Sequence, residues 1–147
     1  MGISEWRDSS GNISEWDLTA DDYEWITETL TEAAAGVGNK CPKVVKIVLF
    51  GSVARGEAKY SIFQYECSDT DIGFVTDDPG EFTDAIFEIM RRARYKKGQH
   101  AQFLPCEFHF IRPEVYKDPD GVGDISPEYR IFMQNVKRDA VVLYEKF

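Results

Sequence analysis

The chain has 147 residues, of which 43% are hydrophobic and 14% aromatic, and it carries a formal net charge of −9. This length and composition are typical of one folded domain and argue against disorder over most of the chain. The acidity disfavours the long-range attraction on which nucleic-acid and anionic-membrane binders depend, so RNA and DNA are not the expected partners.

Cysteine usage and apolar runs indicate the expected compartment. The three cysteines, Cys41, Cys67 and Cys106, are scattered, without a CxxC spacing or paired histidines, which favours reduced thiols over a zinc site. No apolar run approaches the length of a membrane span, and the first residues lack the basic and apolar regions of a signal peptide. We therefore expect a cytoplasmic protein with no membrane contact, and homo-oligomerisation is left open.

The N-terminal residues repeat a short sequence. The letters ISEW occur at 3–6 and again at 13–16, on either side of a segment that contains Gly and Asn. Polar and apolar residues alternate in both copies, which predicts a small β-hairpin, although a chance repeat in a loosely held arm would look the same. Residues 1–18 are accordingly assigned to an arm or hairpin, and residues 19–147 to a single domain.

Helix and strand patterns alternate from residue 19 onward. Thr19 and Asp22 have the spacing of a helix cap, and the apolar spacing after them predicts a helix that ends at Gly36 or Gly38. Residues 44–50 are almost continuously apolar and rich in β-branched side chains. This pattern is expected of a central strand that is covered on both faces.

The middle of the chain continues this alternation. A strand over 69–75 would place Asp69 and Asp71 on one face, because side chains alternate along a strand. Residues 78–79 have the pattern of a helix start, and this helix would carry the basic residues of 91–97 in its last turns. We interpret those charges as a solvated helix end rather than a phosphate-binding patch.

The remaining elements would complete one sheet. A strand over about 103–111 has Glu107 and His109 on one face, and Pro105 indicates that regular pairing begins after it. Three elements follow: a loop over 116–124, a helix from residue 126 and a short strand over 140–144. The order of elements predicts an α/β or α+β domain with one mixed β-sheet.

Two short motifs carry the chemistry. Gly51 lets the chain bend sharply and approach a ligand, and Ser52 would open a short helix whose N–H groups and hydroxyl can hold phosphate. Asp69 and Asp71 offer hard oxygen ligands suited to magnesium, which would keep two close carboxylates ionised. Each motif alone is common in proteins without this chemistry. Together and in this order they predict metal-dependent transfer from a nucleoside triphosphate.

The two motifs resemble the signature of the nucleotidyltransferase superfamily, specifically its minimal stand-alone members: Gly51-Ser52-x-x-Arg55-Gly56 and Ser68-Asp69-x-Asp71. The resemblance runs from about residue 44 to residue 145. It implies the nucleotidyltransferase (polymerase-beta palm-like) fold, with a mixed sheet and helices packed on one side. The implied activity is transfer of a nucleoside monophosphate, with AMP from ATP expected, with Mg²⁺ in a two-metal site and with release of pyrophosphate.

The resemblance also implies roles for single residues. Asp69 and Asp71 match the two metal-binding carboxylates, and Gly51, Ser52 and Ser68 match the phosphate-binding positions. Arg55 matches an arginine that could contact phosphate or brace the short helix. The third metal-binding carboxylate of the family is usually an aspartate on a later strand, and here Glu107 stands in that strand.

Two features depart from the family pattern. Glutamate at 107 has an extra methylene, which changes its reach, and His109 beside it is expected in a core or surface role, with acid–base assistance as the minority alternative. The connection over 57–67 is longer than expected. It could form an aromatic flap over the nucleotide base, a partner-docking loop, or an extra strand at a hairpin edge.

Three functions follow from the resemblance. The first is an antitoxin enzyme that adds AMP to a HEPN-domain partner protein, since family members are often encoded beside such proteins. The second is transfer to a small molecule, as in antibiotic-modifying relatives. The third is a binding module of low or no activity that masks a HEPN-type partner, which the glutamate at 107 and the long connection would suit.

Overall fold

The structure is a computed structural model, and it describes residues 5–7, 13–61, 66–67, 69–97, 100–103 and 105–146. Six of its short stretches are described by their backbone alone: 5–7, 13–17, 59–61, 66–67, 94–97 and 100–103.

The described chain alternates helices and strands. The helices are α1 Ala20–Lys40, α2 Gly51–Arg55, α3 Asp84–Arg91, α4 Pro113–Lys117 and α5 Pro127–Asp139. The strands are β1 Glu5–Arg7, β2 Ile13–Asp17, β3 Val44–Phe50, β4 Lys59–Ser61, β5 Glu66–Cys67, β6 Thr70–Thr76, β7 Arg94–Lys97, β8 His100–Phe103, β9 Cys106–Ile111 and β10 Val141–Glu145. None of the described helices is long and apolar enough to cross a membrane.

A four-stranded mixed sheet forms the centre of the fold. Its strand order is β10-β3-β6-β9. β3 pairs antiparallel with both β10 and β6, whereas β6 pairs parallel with β9. β9 begins directly after Pro105, as predicted. The mixed α/β architecture expected from the sequence is therefore confirmed.

Helices cover both faces of this sheet rather than one. On the first face, α1 and α3 bury alternate residues of β3 such as Ile47 and Leu49. On the second face, α4 and α5 bury the intervening residues Val48 and Phe50. The expected one-sided arrangement is wrong, because a strand that is apolar at every position needs cover on both sides. The second face also carries Asp71, so α5 lies beside the predicted chemistry.

Helix α1 begins as predicted and ends later. Oγ1 of Thr19 accepts the backbone N–H of Asp22 at 3.2 Å, and Oδ2 of Asp22 accepts the N–H of Thr19 at 2.8 Å, which makes a reciprocal capping box. The expected end at Gly36 or Gly38 is wrong, since the helix continues to Lys40. Gly38 instead provides room for the ring of Tyr144, with which a β-carbon at this position would collide.

The helix expected at residues 78–79 starts later and ends earlier. Asp78 caps only a 3₁₀ turn, where its side chain accepts a backbone N–H at 3.1 Å. Thr83 caps α3 and accepts a backbone N–H at 3.4 Å. The helix ends at Arg91, and residues 94–97 pair as β7 with β8. The basic run is therefore divided between a helix end and a hairpin. The loop expected over 116–124 holds the end of α4 and a second 3₁₀ turn.

A second sheet has the order β1-β2-β4-β5. β1 and β2 pair antiparallel, and β2 pairs in turn with β4. The connection over 57–67 thus contributes two short strands, which corresponds to the extra-strand alternative for this segment. Phe63 and Tyr65 lie outside the described residues, as does the side chain of Tyr60.

Two cysteines are described as free thiols. Burial raises the pKa of the Cys106 thiol to about 11. Burial also raises the pKa of Cys41, and the nearby carboxylate of Glu81 raises it further. Both thiols are therefore protonated and weakly reactive at neutral pH. The side chain of Cys67 lies outside the described part of the chain.

We expect Gly38→Ala to destabilise the protein by about 1–3 kcal/mol, because the new β-carbon would displace the Tyr144 ring from α1. Denaturant unfolding measures the change in the free energy of unfolding. Gly36→Ala is the matched control, since its β-carbon meets only Cγ2 of Ile89 at 3.3 Å and alanine favours a helix by about 1 kcal/mol. Equal losses in both variants would contradict the packing assigned to Tyr144.

Candidate active site

The turn after β3 is shaped around a carboxylate. Gly51 has a φ of 80°, a conformation that strains other residues. A β-carbon at Gly51 would also collide with Oδ2 of Asp71, which follows from the pairing of Phe50 with Asp71 across β3 and β6. The sequence predicted that Gly51 serves the approach of a ligand. The structure gives a more specific reason, because the missing side chain makes room for Asp71.

Three polar side chains converge on the second face of the sheet. The parallel register of β6 and β9 sets Asp71 beside Glu107, and two residues later it sets Gly73 beside His109. One oxygen or nitrogen atom from each of Asp71, Glu107 and His109 lies within 4.8 Å of the others. Nε2 of His109 is 3.6 Å from Oδ1 of Asp71. We call these three residues the carboxylate–histidine cluster.

The cluster is electrostatically unfavourable by itself. Burial raises the pKa of the Asp71 carboxyl, Glu107 raises it further, and His109 opposes both effects. Nε2 of His109 is buried and has no hydrogen-bond partner among the described residues. Repelling carboxylates and an unsatisfied buried nitrogen both cost stability. This arrangement suits a site that gains a further interaction when a ligand binds.

The other predicted site residues surround the cluster. Asp69 lies just before β6 and is exposed. It lines the same cavity but does not belong to the cluster. Ser52 lies in the first turn of α2 and also lines the cavity. Ser68 lies outside the described residues. The structure therefore brings Asp71 and Glu107 into contact range and leaves Asp69 at the edge.

Arg55 links α2 to the end of α5. Its Nε donates to Oε2 of Glu57 at 3.0 Å, and its Nη1 donates to Oδ2 of Asp139 at 3.2 Å. The side chain of Asp139 is only 10% exposed, and it also pairs with Arg138 at 3.0 Å. Arg138 and Arg55 lower the pKa of Asp139, while Glu57 and Asp139 raise the pKa of Arg55. Arg55 thus braces the short helix while it lines the cavity.

These residues line an open cavity of about 670 Å³. The ends of β3, β6 and β9 form its floor, α2 forms one wall, and one face of α5 forms another. The wall from α5 consists of Phe132, Asn135, Val136 and Asp139. The described lining includes four carboxylates and one guanidinium, so the cavity is acidic.

The donor set fits a divalent cation. The carboxylates of Asp71 and Glu107 are hard oxygen ligands of the kind that Mg²⁺ prefers, and Asp69 could add a third. The same carboxylates would suit Mn²⁺, and His109 adds an imidazole nitrogen of the kind that transition-metal ions bind. A cation here would favour the ionised form of Asp71, whose pKa is otherwise raised. Asp71 and Glu107 repel each other without a cation, and these are the two carboxylates whose ionised forms a bound metal would stabilise.

Sequence reasoning missed the members of the cavity that α5 contributes. His109 was placed on the face of Glu107 by strand alternation, with acid–base assistance only as the minority alternative to a core or surface role, and the structure sets it in the cluster. Phe132, Asn135 and Asp139 lie three, four or seven residues apart on α5 and share a helix face. The sequence contains this spacing but does not say that α5 would lie against the second face of the sheet.

Comparison with known proteins finds similarity among solved structures. No protein-family model and no curated protein matches the chain. A crystal structure of a candidate nucleotidyltransferase from Sulfolobus solfataricus is similar over 86% of this chain and 86% of that chain, with 18% sequence identity and a TM-score of 0.44.

We expect Asp71→Asn to raise the thermal midpoint of the metal-free protein at neutral pH. The substitution removes a carboxylate whose ionisation is opposed by burial and by Glu107. The pKa of Asp71 is higher in the folded than in the unfolded protein, so its ionisation destabilises the fold above the unfolded pKa. At about pH 3 the group is protonated in both states, and the difference from wild type should disappear.

Thermal unfolding in EDTA at both pH values measures this effect. Asp21→Asn is the control, because Asp21 is an exposed carboxylate in the first turn of α1 and its loss should lower stability slightly at neutral pH. A lower midpoint for Asp71→Asn at neutral pH would contradict the assignment of a destabilising charge to Asp71.

Proposed function

We propose that this protein is a metal-dependent nucleotidyltransferase that moves a nucleoside monophosphate from a nucleoside triphosphate, ATP in the first instance, to a hydroxyl acceptor. The observation that carries the proposal is the placement of Asp71 beside Glu107, next to the Gly51 turn. An acidic cavity would repel a triphosphate unless a divalent cation bound with it. Mg²⁺ is the cation proposed.

Different cavity residues would bind the metal and the phosphates. Asp69, Asp71 and Glu107 would hold the metal, which when bound neutralises phosphate charge and lowers the pKa of the acceptor hydroxyl. The first turn of α2 has no side-chain cap, so its backbone N–H groups and the hydroxyl of Ser52 are suited to phosphate oxygens. Arg55 would keep this turn in place through its pair with Asp139.

The transfer exchanges one phosphorus–oxygen bond for another. The acceptor oxygen bonds to the α-phosphorus as the bond from that phosphorus to the bridging oxygen breaks, and pyrophosphate leaves with the electron pair. The hydroxyl proton needs an acceptor at the cavity. Glu107 is exposed whereas Asp71 is partly buried, so Glu107 is the carboxylate that an incoming hydroxyl would reach.

We further propose a partner protein as the acceptor, and a HEPN-domain protein as that partner, with addition of AMP neutralising it as in a toxin–antitoxin pair. The support for this finer statement is the resemblance of the two sequence motifs to the minimal nucleotidyltransferases. The exposure of Glu107 is compatible with it, since a hydroxyl on a large partner could approach the cluster from solvent.

A second candidate is a masking subunit that binds the same kind of partner without transfer. The glutamate at 107, where the family usually has aspartate, favours this reading. The carboxylate–histidine cluster nevertheless forms with glutamate in place, since its atoms lie within 4.8 Å of one another. The enzyme is therefore the function that the geometry supports best.

Transfer is tested with labelled ATP, Mg²⁺ or Mn²⁺, and the protein encoded beside this one. We expect label on the partner, and a loss of roughly 100-fold or more in rate for Asp71→Asn and for Glu107→Gln, because each removes a group that acts on the reacting phosphate. Glu128→Gln is the matched control, since Glu128 is exposed in the first turn of α5 and lies outside the cavity. Intact ATP binding with no label on any neighbour protein would contradict the proposal.

Neutralisation of the partner separates catalysis from masking. If transfer neutralises the partner, Asp71→Asn should bind it as tightly as wild type and fail to restore growth in cells that express it. If masking is sufficient, the same variant should restore growth fully. Co-purification of the variant with its partner shows that loss of growth does not come from loss of binding.

A further inference from the structure

We propose that Phe132 and Asn135 of α5 form the nucleoside subsite of the cavity, in which the Phe132 ring stacks on the base and the Asn135 amide contacts its edge. This inference rests on the proposed function and names the part of the substrate that α5 would recognise. It assigns to α5 a role in choosing the nucleotide.

Phe132 is a large apolar side chain left partly uncovered inside an acidic cavity. Its ring contacts the rings of Phe50, Tyr129 and His109, at centroid distances of 5.8, 5.9 and 6.0 Å. The residue is still 37% exposed, and it lines the cavity. An aromatic ring that is held by three other rings and is still partly exposed in a cavity offers a surface for a planar ligand.

The position of α5 is fixed by its buried face rather than by the cavity. Met133 is fully buried and Val136 is 2% exposed, and both pack into the core of the second face. Phe132 and Asn135 flank this buried face on the cavity side. Because the helix is held by its core, the two side chains present a preformed surface to a ligand, which lowers the cost of binding.

The residues along α5 are ordered from apolar to charged. Phe132 and Asp139 are seven residues apart, so they are separated by about 10 Å along the helix axis. Asp139 pairs with Arg55, the last residue of α2, so the charged end of the wall lies at the far end of that short helix. Phe132 contacts Phe50, which directly precedes the Gly51 turn, and His109 of the cluster. A nucleotide with its phosphates at this turn and at the cluster would therefore have its base within reach of Phe132.

The chemistry of the two side chains suits a nucleobase. Every base has an aromatic face, and stacking on a protein ring contributes to binding whatever the base. The Asn135 amide has both a donor and an acceptor, which can pair with the edge of a base. Phe132 would then provide affinity for any nucleoside, and Asn135 would provide preference among bases.

The test compares binding of ATP with binding of tripolyphosphate, both with Mg²⁺, by isothermal titration calorimetry. We expect Phe132→Ala to weaken ATP binding by roughly 5- to 150-fold and to leave tripolyphosphate binding unchanged. Phe132→Leu keeps the bulk and should lose most of the same affinity, while Phe132→Tyr should keep it. Ile131→Ala is the control, because Ile131 is 59% exposed and does not line the cavity.

Asn135→Ala tests the edge contact separately. We expect the ratio of ATP to GTP affinity to change by roughly fivefold or more, with tripolyphosphate binding unchanged. An unchanged ratio overturns the role given to Asn135.

The remaining outcomes separate this inference from the function on which it rests. If wild type binds tripolyphosphate and ATP equally, the nucleoside subsite is wrong while the phosphate site stands. If Phe132→Leu lowers affinity for both ligands alike, the ring supports the fold of the cavity and the proposal is wrong. If wild type binds neither ligand with Mg²⁺, the proposed transferase function fails as well.

Discussion

The parallel, in-register pairing of β6 with β9 sets Asp71 beside Glu107, and much of the site follows from this one contact. The register is held from the other side of the sheet, where Ile72 and Phe74 are fully buried. A slip of one residue would turn those side chains to the second face and bury Asp71 in the core. Burial on one face therefore fixes the acidic pair on the other, although the two carboxylates repel each other.

The turn after β3 leaves space for the carboxylate of Asp71. Gly51 has no side chain where the Asp71 carboxylate lies, so the turn after β3 and the acid on β6 are specified together. The two sequence motifs are therefore sterically linked in this chain, because a side chain at position 51 would collide with the Asp71 carboxylate. The turn that would bind phosphate and the carboxylates that would bind metal meet because one glycine permits the contact.

Helix α5 forms a further wall of the cavity. Its buried residues pack on the second face, and its end is tied to α2 by the pair of Arg55 with Asp139. An ion pair with one largely buried partner holds its geometry better than a fully exposed pair. The short helix α2 is thus fixed at its start by Gly51 and at its end by Arg55, which keeps its first turn at a constant distance from the acids.

The sequence allowed the central elements and the sheet face of each acid to be predicted, because these depend on local patterns. The capping of α1 by Thr19, the apolar run of β3 and the alternation that puts Glu107 and His109 on one face are all readable along the chain. The contribution of α5 was not readable, since it depends on which face of the sheet the helix covers. The end of α1 was missed for the same reason, because Gly38 looks like a helix stop until Tyr144 is seen against it.

The glutamate at 107 is best understood together with His109. Glutamate carries one methylene more than aspartate, yet its carboxylate lies in the same 4.8 Å group as Asp71 and His109. The imidazole opposes the rise in the pKa of Asp71 that Glu107 contributes to, so the histidine offsets part of the repulsion between the two acids. A cation bound at the cluster would relieve the rest, and the free energy that the fold loses by placing these acids together would then strengthen the binding of the metal.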